Sequence, residues 1–345
     1  MSSGSTPPRS GIIAGGNWLI DHVKLLDCWP AQDSLANILS ESWANGGGPY
    51  NVLKDLAKLG APFPLEGIGL VGDDADGQRI LDDCTNHRID TRQLRRTAHA
   101  ATAYSDVMTE KATGRRTFFY QRGANALLAP EHFDFTITRA KHFHLGYLLL
   151  LDGLDTLVGG IPRAVEVFAA ARRAGLTTSL DCVSANTDRY QAVVKPVLPH
   201  VDLLFVNDFE AEKLTGLALR AAADAPIGRE RVETAARRLL DAGVREAAII
   251  HFPEAACAVD RRGAIHWQPS FDHPPEQIKG TAGAGDAFAA GVLYARHEDR
   301  PLPEALRFGV CAAASCLSDP TCSGGILPAA DCLRFLDTHA VRSLG

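Results

Sequence analysis

Short apolar segments alternate with amphipathic helical patterns along most of the chain. The apolar segments lie within 65–72, 141–151, 176–181, 201–207 and 245–252. Short apolar runs bounded by turn residues are typical of buried strands. Helical periodicity fills the intervals, most clearly at 162–174 and 231–242. Strands that alternate with helices predict an α/β fold with a largely parallel central sheet flanked by helices, and ligands bind such sheets beyond the carboxyl ends of the strands.

Two stretches depart from this alternation, and neither is followed by a crossover helix. Residues 17–38 begin as an alternating, strand-like pattern, and residues 97–125 contain two strand-like runs joined by a turn at 111–114. We interpret these stretches as a small antiparallel β lid, formed by about 17–40 and 97–125. A lid suits an enzyme that must exclude water from its reaction.

The length and composition of the chain fit one α/β domain at 11–340, preceded by a flexible N-terminal tail at 1–10. The chain has 345 residues, 46% of them hydrophobic and 22% charged, as is usual for a globular enzyme. The net charge is −6 and no basic run stands out, so we expect no nucleic-acid partner. No apolar run approaches the ~20 residues that span a membrane. Eight cysteines without a CxxC pair favour reduced thiols in a cytoplasmic protein.

The segment GTAGAGDAF, from Gly280 to Phe288, carries the strongest chemical signal. It precedes a helical pattern, so its small residues allow a ligand to come close and the free amides of the first turn attract an anion. A carboxylate at Asp286 can accept the proton of an attacking hydroxyl. An ordinary helix N-cap in a glycine-rich turn would give the same pattern. The segment is neither a P-loop nor a GxGxxG motif.

GTAGAGDAF resembles DTxGAGDxF, the carboxy-terminal signature of the PfkB, or ribokinase-like, carbohydrate kinases, and the resemblance extends from about residue 11 to residue 336. It implies a ribokinase-like fold, ATP as the phosphoryl donor and Mg²⁺ as the metal. It also implies that Asp286 is the catalytic base and that the backbone of Gly283, Ala284 and Gly285 forms an anion hole. Thr281, Gly283 and Gly285 would then contact ATP.

Two further matches imply where the acceptor binds. The segment GGGPYN at 46–51 resembles the GGxxxN segment of this family, whose glycines and Asn contact substrate hydroxyls. Gly46, Gly47 and Asn51 are the corresponding residues. The segment NWLIDHV places Asp21 where the family has an Asp that hydrogen-bonds a pair of sugar hydroxyls. A structural GGG turn and an exposed acid on a lid strand are the alternative interpretations.

A further match, which concerns ATP binding, lies at 206–216, VNDFEAEKLTG. It resembles the family's NxxE motif and implies that Asn207 and Glu210 bind ATP, with Glu210 holding Mg²⁺ through water. Few protein ligands are needed, because Mg²⁺ keeps several waters. A capping box at the start of a helix would use the same two residues, and both interpretations can hold together.

The sequence also departs from the family pattern. Gly280 stands where the signature has Asp, which in many relatives helps to form a monovalent-cation site, so potassium activation is not implied. HFPEAA at 251–256 replaces the family's TxGxxG segment, and His251 is either a phosphate contact or a structural histidine. Pro49 and Tyr50 stand where many sugar kinases have small residues, which would reshape the pocket.

These features predict an ATP-dependent kinase that phosphorylates a primary alcohol of a sugar or a sugar-like compound. Arg122 of the lid is a further substrate contact if the acceptor is acidic, because guanidinium suits carboxylate and phosphate, or else an exposed arginine. A nucleoside kinase of the same family and a catalytically silent ligand-binding protein are the alternatives. An oxidoreductase is disfavoured, because no dinucleotide motif follows the first strand. Besides ATP and the acceptor, we expect a second copy of the chain as a partner, in a homodimer formed through the β lid.

Overall fold

The structure, a computed structural model, describes residues 8–221 and 225–343, and these contain fifteen strands and ten α-helices. The strands are β1 (Ile12–Gly16), β2 (Leu19–Leu26), β3 (Ile38–Gly46), β4 (Leu65–Gly72), β5 (Ile89–Thr97), β6 (Ala103–Glu110), β7 (Arg116–Gln121), β8 (His142–Leu148), β9 (Leu157–Val158), β10 (Ile161–Pro162), β11 (Thr177–Cys182), β12 (Leu203–Asn207), β13 (Ala247–Phe252), β14 (Ala255–Asp260) and β15 (Ile265–Pro269). The helices are α1 (Gly48–Leu59), α2 (Ala75–Asn86), α3 (Asp152–Asp155), α4 (Ala164–Arg173), α5 (Asp208–Thr215), α6 (Arg229–Asp241), α7 (Ala284–His297), α8 (Leu302–Cys316), α9 (Ala329–Leu333) and α10 (Phe335–Thr338).

A large sheet forms the centre of the molecule. Nine of the described strands build it in the order β15-β14-β13-β12-β11-β8-β1-β4-β5. The strands from β13 to β5 run parallel, and β14 and β15 continue antiparallel at one edge. The mostly parallel sheet predicted from the alternating pattern is thus confirmed, and β4 coincides with the predicted strand at 65–72.

Both faces of this sheet are buried, as β12 illustrates. Leu204 and Val206 belong to the core that includes α4, α5 and α6, whereas Leu203 and Phe205 belong to the core that includes α1, α7 and α8. Successive side chains of a strand point to opposite faces, so one short apolar run contributes to both cores. This is why the parallel strands have continuous apolar sequences rather than an alternating pattern.

The carboxyl ends of the parallel strands meet at one edge of the sheet. They are Gly16 of β1, Leu148 of β8, Cys182 of β11, Asn207 of β12 and Phe252 of β13. Ligands bind at this edge in open α/β sheets. The NDFE motif begins at this edge with Asn207, and β2, which carries Asp21, follows β1 from the same edge.

A second sheet of four strands, in the order β3-β2-β6-β7, forms the lid. The outer pairs β2–β3 and β6–β7 are antiparallel, and the central pair β2–β6 is parallel. The parallel pair follows from the connections, because β1 and β5 are parallel and each leads directly into one of the two central lid strands. The lid extends beyond the predicted limit at residue 40, since β3 continues to Gly46, where its last three residues are buried.

Helix α1 begins at Gly48 and ends at Leu59. Pro49 lies in its first turn, where proline is well tolerated because the missing amide would have no intrahelical acceptor. Gly60 caps the helix with a φ of 77°, in the left-handed region that favours glycine. The GGG segment therefore joins lid strand β3 directly to the first turn of α1.

Among residues 8–221 and 225–343, the helices are all too short or too polar to cross a membrane.

Candidate active site

The start of α7 is built around Gly283. This residue caps the helix with a φ of 78°, and a β-carbon on it would lie 2.4 Å from the carbonyl oxygen of Cys322. Both the backbone conformation and the lack of space therefore require glycine. The Ala287 amide donates to the Gly283 carbonyl at 2.8 Å, whereas the amides of Gly285 and Asp286 lie in the first turn, which lacks intrahelical acceptors. This turn offers backbone donors where the sequence predicts an anion hole.

Asp286 lies in this first turn with its side chain buried. The Tyr147 hydroxyl lies 2.6 Å from its Oδ1 and 2.7 Å from its Oδ2, and Asn51 Nδ2 donates to Oδ2 at 2.8 Å. Burial raises the pKa of Asp286 to about 6, and the hydrogen bonds from Tyr147 and Asn51 oppose that rise. A buried carboxylate with this pKa is ionised at neutral pH and can accept a proton.

Asn51 is oriented from its other side. Asn45 Nδ2 donates to Asn51 Oδ1 at 2.7 Å and also lies 3.0 Å from the Ser323 hydroxyl. With its oxygen occupied, Asn51 turns its amide nitrogen toward Asp286. Two residues that the sequence predicts separately, in the GGGPYN and GTAGAGDAF segments, are therefore in direct contact.

The glycines of the GGG turn make room for two neighbours. A β-carbon on Gly46 would lie 2.8 Å from Cγ of Asp21, and one on Gly47 would lie 2.2 Å from the carbonyl oxygen of Asn17. Gly47 also has a φ of 92°. The turn therefore places Asp21, on lid strand β2, against the start of α1, and any side chain at 46 or 47 would separate them.

Asp21 is a buried acid. Burial raises the pKa of Asp21 to about 7, and the negative charge of Asp286 adds to this effect, whereas the Cys322 thiol, 3.7 Å from Oδ2, and the positive charge of Arg116 oppose it. The negative charge of Asp286 contributes to the raised pKa of Asp21, so the two carboxyl groups lie near each other. Such a pair can accept hydrogen bonds from neighbouring hydroxyls of one ligand.

Asn207 and Glu210 form a capping box at the start of α5. The Glu210 amide donates to Asn207 Oδ1 at 2.9 Å, and the Asn207 amide donates to Glu210 Oε2 at 3.0 Å. Ser184 Oγ and Asn207 Nδ2 contact the other oxygen of Glu210, at 2.9 and 3.1 Å. Burial raises the pKa of Glu210 to about 7. The capping interpretation is thus correct, and it holds the carboxylate at the ligand-binding edge of the sheet.

Asp181, near the end of β11, is a site residue that sequence analysis missed. Burial raises its pKa well above the usual range, and the negative charges of Glu210 and Asp286 add to that rise. The rule that ligands bind at the carboxyl ends of parallel strands could have identified it. Asp181 thus lies close enough to Glu210 and Asp286 for their negative charges to disfavour its ionised form.

The donor set suits Mg²⁺ rather than a transition metal. The described residues contain no group of three or more His, Cys, Asp or Glu side chains arranged to hold a metal. Glu210 already accepts three hydrogen bonds, which leaves room for contact through water. Mg²⁺ is often bound by one or two carboxylates, with waters and substrate phosphates as its other ligands.

A cavity of about 370 Å³ lies beside the start of α7. Its walls come from the β13–β14 hairpin, from the start of α7 and from α8, and they are mainly apolar. Asn207, Thr281, Ala284 and Gly285 line its polar end, and the apolar lining includes Phe252, Pro253, Phe271, Ile278, Phe288, Val310, Ala313, Ala314 and Leu317. The cavity therefore extends from the first turn of α7 into an apolar cleft, a form that suits a ring-shaped ligand group.

His251 lies between this cavity and the core. A β-carbon on Gly285 would lie 3.1 Å from its Cε1, and its ring centre is 5.2 Å from that of Phe288. Burial lowers the pKa of His251 to about 4, so the ring is neutral at physiological pH. It can therefore contact a ligand as a neutral donor or acceptor and not as a cation.

The HFPEAA turn is held by ion pairs. Arg220 Nη1 and Nη2 contact the two carboxylate oxygens of Glu254 at 2.9 and 3.0 Å, and its Nε lies 3.3 Å from Asp208 Oδ2. The turn that replaces a glycine-rich segment is thus joined to the start of α5. This side of the cavity is fixed by side chains rather than by a flexible loop.

Comparison with known protein families identifies the family of this chain. Residues 17–330 match the pfkB family carbohydrate kinase model. The chain belongs to this family. It is therefore a phosphotransferase that uses an alcohol group as acceptor, and the resemblance inferred from the sequence is confirmed.

Relatives of this PfkB kinase agree with the assignment. It is 26% identical over 306 residues to the 5-dehydro-2-deoxygluconokinase of Geobacillus kaustophilus, which covers 85% of each chain. Ribokinase of Arabidopsis thaliana, solved with ribose and ATP, has a TM-score of 0.76 at 20% identity and covers 96% of this chain and 99% of that one. An Escherichia coli structure described as ribokinase II, with ATP and Mg²⁺, has a TM-score of 0.75 at 17% identity and covers 96% and 100%. These structures confirm the ribokinase-like fold.

Two lid arginines of the kinase lie in different surroundings. Arg122 forms an ion pair with Asp152, 2.7 Å from Nη1 to Oδ1, and both side chains are partly exposed. Arg116 instead donates to the carbonyl oxygen of Pro320 at 2.9 Å, and its guanidinium lies beside Gly280. The sequence predicts a substrate contact at Arg122 and gives no signal for Arg116, because only the folded lid shows which arginine lies beside the GTAGAGDAF turn.

Proposed function

We propose that this kinase transfers the γ-phosphoryl group of ATP to a primary hydroxyl of a sugar or sugar-like compound, with Asp286 as the base. One observation carries the proposal. A buried carboxylate, oriented by Tyr147 and Asn51, lies in the first turn of α7, where the amides of Gly285 and Asp286 have no intrahelical acceptor. The base would then act on the attacking hydroxyl, and the backbone donors would act on the transferred phosphoryl group.

The proposed acceptor site lies between the lid and the start of α1. Asp21 and Asn51 offer oxygen and nitrogen atoms for hydroxyl groups, and Gly46 and Gly47 allow the acceptor to approach the backbone. Arg122 would have to leave Asp152 before it could contact an acidic acceptor. The polar, partly acidic character of this site favours a neutral polyol or sugar.

The proposed ATP site is the cavity beside α7. A cleft of about 370 Å³ with apolar walls suits a nucleoside, and Thr281, Gly283 and Gly285 lie toward the phosphates. Asn207 and His251 border the same end. ATP in the solved structures of two relatives supports this assignment.

Glu210 is proposed to hold Mg²⁺ through water, with Asp181 beside it. Both are buried acids whose pKa values burial raises, to about 7 for Glu210 and well above the usual range for Asp181. When bound, Mg²⁺ would neutralise negative charge on the phosphates. Its charge would also favour the ionised form of both acids.

The transfer follows from the positions of these groups. Asp286 accepts the proton of the acceptor hydroxyl, and that oxygen attacks the γ-phosphorus in line while the bond to the ADP oxygen breaks. The amides of Gly283, Ala284 and Gly285 stabilise the charge on the transferred group. The lid excludes water, so that hydrolysis does not compete.

An activity panel tests the proposal. Sugars, sugar acids and nucleosides should each be assayed for ATP consumption with the wild type and with Asp286→Asn. We expect at least one polyol to be phosphorylated and the variant to retain less than about one-thousandth of the turnover. ATP binding by both proteins without turnover of any acceptor would contradict the proposal and favour a silent binding protein.

Asp55→Asn is a matched control for this test. Asp55 is also a fully buried acid whose pKa is raised by burial and by the charge of Asp286, but it takes no part in the proposed transfer. We expect this variant to keep its turnover. Loss of activity in both variants would mean that removal of any buried acid near α7 disturbs the site.

A homodimer formed through the lid is also proposed. Large apolar side chains of the lid and of its β2–β3 connection are exposed: Trp29, Leu35, Ile38, Leu39, Trp43, Phe118 and Phe119. Such a concentration of exposed apolar residues is typical of an interaction surface. A second lid of the same shape is the simplest partner, because identical subunits usually associate symmetrically.

A further inference from the structure

We infer that Tyr147 is a positioning residue, whose hydroxyl orients Asp286 so that Oδ1 is the oxygen that accepts the acceptor's proton. The inference rests on the proposed role of Asp286 as the base. Tyr147 follows Gly146 near the carboxyl end of β8, in an apolar run that the sequence assigns to the core. Nothing in the motifs distinguishes it from its neighbours, whereas the structure places its hydroxyl on the carboxylate.

The hydrogen bonds to Asp286 distinguish its two oxygens. Oδ2 accepts from Asn51 Nδ2 at 2.8 Å and shares the Tyr147 hydroxyl at 2.7 Å. Among the residues that the structure describes, the shared hydroxyl, at 2.6 Å, is the one donor to Oδ1. The phenol has a single proton, so the two oxygens share it, and Oδ2 has Asn51 as an additional donor. Oδ1 is therefore the less fully hydrogen-bonded oxygen and the better placed to accept from the substrate hydroxyl.

Tyr147 is itself held in place. Its amide donates to Asn17 Oδ1 at 2.9 Å, and the Asn17 amide donates to the Gly146 carbonyl at 3.1 Å. The ring packs on α1, where a β-carbon on Gly48 would lie 3.1 Å from Tyr147 Cε1. Because both its backbone and its ring are fixed, the hydroxyl can hold the carboxylate in one orientation.

The same interactions continue into the lid. Asn17 Nδ2 donates to the Tyr120 hydroxyl at 3.2 Å, and Asn125 Nδ2 contacts that hydroxyl at 3.2 Å. Tyr120 lies on lid strand β7. A hydrogen-bonded series therefore runs from the lid through Asn17 to Tyr147 and the base, so that closure of the lid and orientation of the base are physically connected.

Tyr147 also affects the ionisation of Asp286. Burial and the nearby carboxylates raise the pKa of the Tyr147 phenol well above its usual range, so it remains a donor. A donor to a carboxylate favours the ionised form and lowers its pKa. The other titratable groups whose charges interact with Asp286 are Asp21 on β2, Asp55 on α1, Asp181 on β11, Glu210 on α5 and the thiols of Cys316 and Cys322.

Tyr147→Phe tests the inference through pH profiles. We expect the acidic limb of kcat/KM to move up by about one pH unit, because the carboxylate loses a donor and its pKa rises. On the plateau, kcat should fall about tenfold while the KM for ATP stays within twofold. A titration of the Asp286 carboxyl carbon by NMR, assigned as the resonance missing from Asp286→Asn, should show the same shift without substrate.

Tyr190→Phe is the matched control. Tyr190 is also buried, and its hydroxyl donates to the Val183 carbonyl at 2.6 Å and accepts from the Ala185 amide at 3.1 Å, so the variant loses two hydrogen bonds away from Asp286. We expect it to lose stability without a shift of the acidic limb. If Tyr147→Phe leaves both the limb and the NMR titration unchanged, or raises kcat/KM by lowering the acceptor KM, the inference is wrong. Full turnover in Asp286→Asn would instead remove the proposed base.

Discussion

The guanidinium of Arg116 occupies the space beside Gly280, where a β-carbon would lie 2.8 Å from its Nη2. A lid side chain thus reaches the residue at which this kinase departs from its family signature. Arg116 also donates to the Pro320 carbonyl at 2.9 Å, and no carboxylate among residues 8–221 and 225–343 lies within ion-pair distance of it. Its positive charge is therefore available to the acceptor site, where it lowers the pKa of Asp21.

Replacing Arg116 by Gln should weaken acceptor binding. Without the guanidinium, the pKa of Asp21, already raised by burial to about 7, rises further and less of the carboxylate is ionised at pH 7. We expect the acceptor KM to increase about three- to tenfold at pH 7 and much less at pH 9, where Asp21 ionises in both proteins. Initial rates at the two pH values, with ATP saturating, measure this difference.

Gly280→Ala tests the same contact from the other side. Its methyl group would displace the guanidinium and would also lie 2.8 Å from Cα of Pro320, so the backbone that Arg116 contacts must shift as well. We expect a rise in the acceptor KM at least as large as that of Arg116→Gln, and a combined effect smaller than the product of the two single effects. Arg115→Gln is the matched control, since Arg115 precedes β7 and is exposed. Additive effects of the first two changes would show that Gly280 acts independently of Arg116.

The strands of the parallel sheet can be predicted from the sequence, because a strand that is buried on both faces has a short apolar sequence between turn residues. β4 was located to the residue for this reason. β5 was missed, because it is an edge strand whose sequence IDTRQLRRT is mostly polar. The lid strand β3 was missed for the same reason, since its first six residues are exposed. Edge and lid strands are specified by pairing rather than by their own apolar content.

Local motifs indicate those candidate site residues that lie at helix starts. Asp286, Asn51 and Glu210 lie at helix starts, where turn residues and acids are informative. Tyr147 and Asp181 lie at strand ends and reach the site because β8, β11 and α7 come together in three dimensions. Their contacts depend on tertiary packing, which no spacing in the sequence encodes.

Asp55 should limit stability. It is fully buried on α1, and no well-formed hydrogen bond reaches either carboxyl oxygen. Burial raises its pKa well above the usual range, and the side chain of Ser323 opposes this rise. We expect Asp55→Asn to raise the free energy of unfolding by about 1–3 kcal/mol at pH 7, because the cost of keeping this acid buried is removed.

The effect of Asp55→Asn should depend on pH in one direction. A carboxyl group whose pKa is raised by folding does not lower the free energy of unfolding below about pH 4, because it is protonated in both states. As the pH rises above the pKa of the unfolded state, the group lowers the free energy of unfolding progressively more. Urea unfolding should therefore show a gain at pH 7 that largely disappears at pH 4. Asp337→Asn, an exposed acid on α10, is the control and should change little at either pH. An equal gain at both pH values would contradict the explanation.

Ala313→Leu should block the nucleotide cavity. Ala313 lines this cavity from α8 and is only partly buried, so a larger side chain can project into the space without disturbing the core. We expect the KM for ATP to rise at least tenfold while the acceptor KM and the midpoint of thermal unfolding change little. Isothermal titration with ATP provides a measurement that is independent of turnover. A rise in the acceptor KM alone would mean that the cavity holds the acceptor instead.

Leu39→Glu should weaken association of two lids. Leu39 lies on β3, an edge strand of the lid, with 48% of its surface exposed, and a charge there would oppose burial against a second copy. Sedimentation velocity should show a dimer for the wild type and a shift toward monomer for the variant. Leu327→Glu, with 41% exposure at a position outside the lid, is the matched control and should leave the dimer intact. If the wild type sediments as a monomer at micromolar concentration, the exposed apolar residues of the lid serve another partner, and the lid closes over the acceptor without help from a second subunit.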